Sequence, residues 1–215
     1  MTEKYGKMTM KRQEQNLMQL IVWLLVILFA GCGPDFDNPI DPHNDPDGIA
    51  LVQVGWQDYE TGRLDEAFVK FRQAFARNAE NADARVGIGW SLFQKQNVQA
   101  AINEFRQALA MDGNAVDAHV GLAGAFLATE EYSSAIEHAQ AVLSQQPDYM
   151  FAHDPLITSR NLHLVLAQGY FYLDDFARAQ DEINIVDASI EINPENAESD
   201  LLRALEELTQ SVDGR

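Results

Sequence analysis

The sequence has few residues that could crosslink the fold or bind anions. Cys32 is the only cysteine in 215 residues, so an intrachain disulfide is impossible. Basic residues are also scarce, because 15 Lys and Arg stand against 33 Asp and Glu, which gives a net charge of −18. A chain this acidic repels phosphate backbones and anionic membrane surfaces. Nucleic-acid binding is therefore not expected.

Recognisable catalytic and metal-binding motifs are also missing. None of the five histidines has a Cys or a second His at ligand spacing, and the sequence has no G-x-S-x-G nucleophile motif and no Gly-rich phosphate loop. His153 and Asp154 are adjacent, but an Asp that caps a helix beside a linker His is a simpler interpretation than an acid–base pair. The sequence predicts no enzyme activity, no cofactor and no metal.

Long apolar runs are confined to the amino terminus. Residues 20–30 form an unbroken apolar stretch, and four Lys or Arg precede it between positions 4 and 12. A bilayer-spanning helix needs about 20 apolar residues, so this stretch is too short for a permanent span. Residues 1–31 are instead predicted to be a cleaved signal peptide.

The predicted cleavage point coincides with the single cysteine. The segment Leu28-Phe29-Ala30-Gly31-Cys32 resembles the lipobox of bacterial lipoproteins, although Phe29 replaces the usual aliphatic residue. The resemblance implies that Cys32 becomes the first residue of the mature protein and carries acyl chains such as palmitate. The alternative is a soluble secreted protein with an incidental free Cys.

The residue after the cysteine indicates where in the cell such a lipoprotein would be located. Gly33 follows Cys32 instead of Asp, which is similar to lipoproteins that Gram-negative bacteria send to the outer membrane. The expected location is therefore the cell envelope, facing the periplasm. The mature chain would have 11 basic and 31 acidic residues, a net charge of −20.

Residues 32–47 are predicted to be an extended linker. They contain four of the seven prolines and five Asp. Proline at this density blocks helix and sheet, and the like charges repel one another.

Residues 48–149 repeat at an interval of 34 positions. Small and apolar residues recur together at several places in the interval, which is the signature of a stacked repeat. The matched sets are Gly55, Gly89 and Ala123; Ala67, Ala101 and Ala135; Ala74, Ala108 and Val142; and Phe75, Leu109 and Leu143.

Each interval contains two amphipathic helices joined by a polar bend. The order Gly89-Ala101-Phe105-Ala108, with a small residue in helix A and Ala, aromatic and Ala in helix B, resembles the tetratricopeptide repeat. The resemblance implies an all-α, right-handed solenoid with three units in residues 48–149. The predicted helices are residues 49–60, 64–77, 83–95, 98–111, 117–129 and 132–145.

A fourth, extended unit is predicted for residues 150–193, where the repeat motif arrives ten residues late. Asp154-Pro155 is a favourable helix start, so helix A is expected over residues 155–173. Helix B is expected to be lengthened too, so that the two extensions pack on each other. Residues 194–215 are predicted to form a capping helix and tail, with a stripe of Leu201, Leu202, Leu205 and Leu208.

The family resemblance also implies a concave groove lined by the A helices, in which a partner protein would bind. Aromatic side chains such as Trp56 and Trp90 dominate binding energy where a partner contacts them. Alternatively, some of these residues, notably Phe93 and Phe171, only pack between neighbouring A helices. The predicted groove residues are Val52, Trp56, Tyr59, Val86, Trp90, Phe93, Val120, Leu127, Leu164, Gln168, Phe171 and Tyr172.

Two classes of function fit this sequence. The first is an envelope scaffold, anchored through Cys32, that holds an apolar peptide or helix of a partner protein. It is similar to the repeat lipoproteins of barrel assembly or of pilus and secretin biogenesis. The second is an accessory or positioning subunit of a cell-envelope enzyme. Nothing outside the repeats is large enough for a catalytic domain, so the scaffold is the preferred prediction.

Overall fold

The structure is a computed structural model that describes residues 48–213, with side chains to residue 210. The predicted signal peptide, the predicted linker and the lipidation site at Cys32 lie outside the described residues. Among the helices that are described, none is long and apolar enough to cross a membrane.

Nine α-helices follow one another along this part of the chain. A short 3-10 helix, Pro194–Asn196, precedes the last of them. The α-helices are α1 Ile49–Glu60, α2 Leu64–Arg77, α3 Ala82–Gln94, α4 Val98–Met111, α5 Val116–Ala128, α6 Tyr132–Gln145, α7 Ser159–Tyr172, α8 Phe176–Val186 and α9 Ala197–Asp213. The six helices predicted for the first three units are confirmed to within one residue at each end.

The repeated small residues create room for an aromatic ring. Phe71 on α2 is fully buried, and a Cβ built on Gly55 of α1 or Gly87 of α3 would lie 2.7 or 2.4 Å from its ring. Phe105 on α4 occupies the corresponding position against two glycines of α3 and α5. A ring from each of these B helices therefore wedges between two successive A helices, which explains why the sequence repeats small residues at these positions.

The A helices form the inner side of the solenoid. Helices α1, α3 and α5 each pack on the next A helix as well as on their own B helix. Helices α2, α4 and α6 instead pack on the A helices that flank them. Direct A-to-A contact brings the A helices together on one side of the solenoid, the side on which the family resemblance implies a groove.

The start of the fourth unit differs from the prediction. Helix α7 begins at Ser159, four residues after Pro155. Asp154 caps a turn, because its carboxylate accepts a hydrogen bond from the Leu156 amide at 3.1 Å. Thr158 precedes the helix, and its backbone amide donates a hydrogen bond to the side-chain oxygen of Asn161 at 2.9 Å. Asp154 and Pro155, which were predicted to start the helix, therefore form a turn within a loop.

The predicted lengthening of helix B is also wrong. Helix α8 ends at Val186, and the Asp187 carboxylate then accepts hydrogen bonds from the amide and hydroxyl of Ser189. This local turn terminates the helix. The two ends are neighbours, since Arg160 donates to the Val186 carbonyl at 3.0 Å, but no helical extensions pack on each other.

Helix α9 packs against α7 and α8. Leu201, Leu205 and Leu208 are buried, whereas Leu202 is 41% exposed. The apolar stripe therefore includes Ala204 in place of Leu202. The predicted stripe was therefore wrong at Leu202, and its other three residues are buried as predicted.

Candidate partner-binding groove

The ten-residue delay before α7 forms a loop that folds over the A helices. We call residues 149–158 the groove loop. The Phe151 amide donates to the Ile157 carbonyl at 2.9 Å, and the Ser159 amide donates to the Tyr149 carbonyl at 2.8 Å. Met150 and Thr158 form an isolated antiparallel bridge. The groove loop is thus a short irregular hairpin.

Phe151 is the side chain that fixes the groove loop to the A helices. It is fully buried and stacks on Trp90 of α3, with ring centroids 4.6 Å apart and an interplanar angle of 23°. Trp56 of α1 meets Phe151 edge-on at 5.8 Å. Tyr59 lies 6.4 Å away in a similar edge arrangement. Phe151 therefore fills an aromatic pocket formed by two A helices.

His153 makes a second contact with α1. Its ring is parallel to that of Trp56, at a centroid distance of 3.9 Å and an angle of 3°. His153 Nδ1 lies 2.8 Å from Glu60 Oε1, and a carboxylate can only accept, so the ring nitrogen carries the proton. His153 therefore joins α1 by stacking and by a hydrogen bond.

Tyr149 connects the other side of the groove loop to α5. Its hydroxyl donates to Asp117 Oδ1 at 2.7 Å. Burial, together with the neighbouring Asp117 charge, raises the pKa of the Tyr149 hydroxyl well above its ordinary value. Tyr149 consequently stays a neutral hydrogen-bond donor at physiological pH.

The two groove tryptophans also hydrogen-bond to the A helices that follow them. Trp56 Nε1 donates to Asp83 of α3, and Trp90 Nε1 donates to the Asp117 carbonyl of α5, both at 3.2 Å. Burial raises the pKa of Asp83, and the hydrogen bond from Trp56 partly opposes that rise. Each indole is thus fixed in orientation on both its apolar and its polar side.

The predicted groove residues fall into three classes of exposure. Trp56, Tyr59 and Trp90 of the first two units are buried, and Phe151 of the groove loop contacts all three rings. Whether any of these residues contacts a partner stays a prediction. Val52, Trp56, Tyr59, Val86, Trp90, Val120, Leu164 and Phe171 are buried, Phe93, Leu127 and Gln168 are half-buried, and Tyr172 is 53% exposed.

Phe93 packs between two neighbouring A helices, which agrees with the alternative interpretation for this residue. A Cβ built on Gly124 of α5 would lie 3.4 Å from the ring of Phe93, which places this ring between α3 and α5. Phe171 of α7 instead contacts Phe176 of α8, the B helix of its own unit, at a centroid distance of 5.7 Å. Tyr172 remains accessible and stacks on Tyr132 at 4.8 Å.

The sequence reasoning missed the groove loop. Tyr149, Phe151 and His153 are aromatic or heteroaromatic residues at alternate positions within the insertion, and this was the available signal. It was outweighed by the local helix-start signal of Asp154-Pro155. The acidic residues Glu60 and Asp117, which accept hydrogen bonds from the groove loop, carried no signal that distinguishes them from other surface carboxylates.

Open space remains beside the groove loop. A cleft of about 590 Å³ next to His153 is lined by residues that include Tyr59, Gln94 and Pro155. A second cleft of about 400 Å³ lies between Asp83, Asp117 and Tyr149. Within residues 48–213, no three His, Cys, Asp or Glu side chains cluster in a way that could hold a metal ion.

The fold defined by these helices is the tetratricopeptide repeat fold. The family model described as tetratricopeptide repeat matches residues 55–112 and 88–149. A search of curated protein sequences found no match. The all-α repeat fold is that of a protein–protein interaction scaffold.

Solved structures with the same fold include three bacterial proteins. MamA from Desulfovibrio magneticus, residues 41 to the end, is 15% identical, with 78% of this chain and 94% of that chain covered and a TM-score of 0.58. PilF from Pseudomonas aeruginosa is 17% identical, with 78% and 74% covered and a TM-score of 0.57. A thermophilic tetratricopeptide repeat protein from Thermus thermophilus is 19% identical, with 76% and 82% covered and a TM-score of 0.54. At these identities the similarity establishes the fold alone.

Proposed function

We propose that this protein is a scaffold of the bacterial cell envelope, anchored by a lipid on Cys32, that binds a segment of a partner protein in its concave groove. The observation that carries the proposal is the groove loop itself. A non-helical segment lies across α1, α3 and α5 and inserts Phe151 between Trp56 and Trp90. The A helices therefore have the shape and the aromatic side chains needed to hold a peptide segment.

Support for the anchor comes from the amino-terminal residues. The lipobox resemblance at residues 28–32 provides a modifiable sulfur, and the acidic linker that follows would separate the repeats from the membrane. Two or three acyl chains anchor a protein far more stably than one.

The proposal is tested by capturing partners from detergent-solubilised envelope with the full chain. The groove variant is Trp90→Phe, which keeps an aromatic ring but removes the indole and its hydrogen bond to the Asp117 carbonyl. Its control is Ile185→Val, at an exposed position on the B helix α8 that is not among the predicted groove residues. Specific capture that Trp90→Phe reduces and Ile185→Val does not supports the proposal. Failure of the wild-type chain to capture any envelope protein would contradict it.

A further inference from the structure

The groove loop is held to the A helices by side chains alone. Its backbone hydrogen bonds join it only to itself and to the flanking ends of α6 and α7, as in the pairs Phe151 with Ile157 and Ser159 with Tyr149. Among the backbone hydrogen bonds of residues 48–213 that lie outside the helices, none connects the groove loop to α1, α3 or α5. The hairpin can therefore leave the groove with its internal bonds intact.

Three side chains at alternate positions make the contacts with the A helices. Tyr149 and Phe151 are 4% and 0% exposed, and Met150 between them is 63% exposed. His153 follows at the next alternate position and stacks on Trp56. This in-and-out alternation has the period of a strand, so any short peptide with the same pattern can present the same three groups.

The two polar side chains of the A helices that hydrogen-bond to the groove loop both act as acceptors. Asp117 accepts from Tyr149, and Glu60 accepts from His153. Asp83 lies in the cleft beside Tyr149 and carries a charge that burial disfavours. A segment that supplies hydroxyl, imidazole or ammonium donors at these positions is complementary to the groove.

We propose that the groove recognises a partner segment with aromatic side chains at positions i and i+2 and a hydrogen-bond donor, such as imidazole, at i+4. Residues 149–153 have this pattern and occupy the same site as an internal competitor. The partner binds when the groove loop leaves. This inference rests on the proposed function, because it specifies the segment that the scaffold holds.

The competition predicts a specific effect on affinity. A ligand that binds only the open state has an apparent affinity reduced by the fraction of molecules that are open. A substitution that weakens the groove loop raises that fraction. The test uses a fluorescent peptide with the sequence of residues 147–155, added to the full chain in detergent and measured by fluorescence anisotropy.

In this test Phe151→Ala is expected to bind the peptide at least about tenfold more tightly than wild type, since the internal competitor has lost its anchor. Met150→Ala is the matched control, because Met150 is the exposed neighbour, and its affinity should equal that of wild type. A second peptide, in which Ala replaces the residue equivalent to Phe151, should not bind any variant.

Equal affinity of folded Phe151→Ala and wild type for the peptide would overturn the inference. So would equal binding of the two peptides. If Phe151→Ala does not give a cooperative melt, His153→Ala serves as the variant, because it removes the half-exposed stack on Trp56 and leaves the aromatic pocket filled. Failure of folded His153→Ala to bind more tightly than wild type would then have the same meaning.

The outcome is separable from that of the proposed function. If an envelope partner binds wild type and Phe151→Ala equally well, the scaffold stands and the internal competitor is wrong. If the peptide binds as expected but no envelope protein is captured, the recognition pattern stands and the scaffold proposal fails.

Discussion

Phe151 and Trp90, which belong to the loop of the fourth unit and helix A of the second, stack with ring centroids 4.6 Å apart. Through this contact the groove loop packs on the A helices of the first two units. Trp90, which the family resemblance assigns to the groove, is one of the largest fully buried side chains among the described residues. Its contribution to folding can be separated from its contribution to binding by substitution.

Trp90→Ala should lower the free energy of unfolding by about 3–5 kcal/mol, the range for truncation of a large buried aromatic residue. The substitution removes the stack on Phe151 and the hydrogen bond to the Asp117 carbonyl. Ile185→Ala, at a position that is 61% exposed, is the control and should change stability by no more than about 0.5 kcal/mol. Urea denaturation followed by circular dichroism measures both. Similar small effects for the two variants would show that Trp90 is not covered.

Ala101→Leu should destabilise the protein by about 1–3 kcal/mol, because it overpacks the crossing of α3 and α4. Ala101 is completely buried, whereas Ala100, its neighbour on the same helix, is exposed. Ala100→Leu is therefore a control with the same change in volume. The denaturation midpoint should fall for Ala101→Leu only. Equal midpoints for the two variants would mean that the repeat register is incorrect.

Stability should fall below neutral pH through the pair His119 and His138. Their Nδ1 atoms are 2.8 Å apart, so one donates to the other and the two rings cannot both carry a proton there. Burial lowers the pKa of both rings below the ordinary value of 6.5, and for His138 the neighbouring His119 and Arg106 lower it further. Glu137 opposes these effects at both rings.

The direction in which stability changes with pH follows from the lowered pKa values of His119 and His138. Below pH 6.5 the unfolded chain binds protons that the folded pair resists, so the free energy of unfolding decreases as the pH falls. His138→Gln removes one of the two titrating groups and should show a shallower decrease. The measurement is urea denaturation at a series of pH values from neutral to mildly acidic. A wild-type slope no steeper than that of His138→Gln would contradict the prediction.

Cys32→Ser should release the protein from the membrane, because the serine provides no sulfur for the proposed acyl chains. Metabolic labelling with palmitate and membrane fractionation measure the result. The wild-type chain should take up label and sediment with membranes, and the variant should do neither. Unchanged partitioning of the variant would remove the support for a lipid anchor.

The sequence was sufficient to predict the helices of the first three units because the repeat itself is a packing requirement. Phe71 needs small residues at Gly55 and Gly87, and the same need recurs in the next unit. A requirement that recurs at a fixed spacing is visible without a structure. The helix bounds and the buried alanines follow from it.

The groove loop could not be predicted in the same way, because it has no repeat partner. Asp154 and Pro155 satisfy the local rules for a helix start and for a turn equally well. A turn forms here instead of a helix because Phe151 and His153 contact Trp56, which is remote in sequence. The contacts of the groove loop with Trp56 and Trp90 were therefore not predicted from the sequence.

The most direct test of this account replaces Phe151 with p-azidophenylalanine and irradiates the full chain. The stack of Phe151 on Trp90 predicts an intramolecular crosslink to the tryptic peptide of residues 86–95, which contains Trp90, detected by mass spectrometry. The same substitution at exposed Met150 should give little of this product. Crosslinks from position 151 that avoid both this peptide and the helix bearing Trp56, or equal yields from the two positions, would show that the groove loop does not occupy the groove.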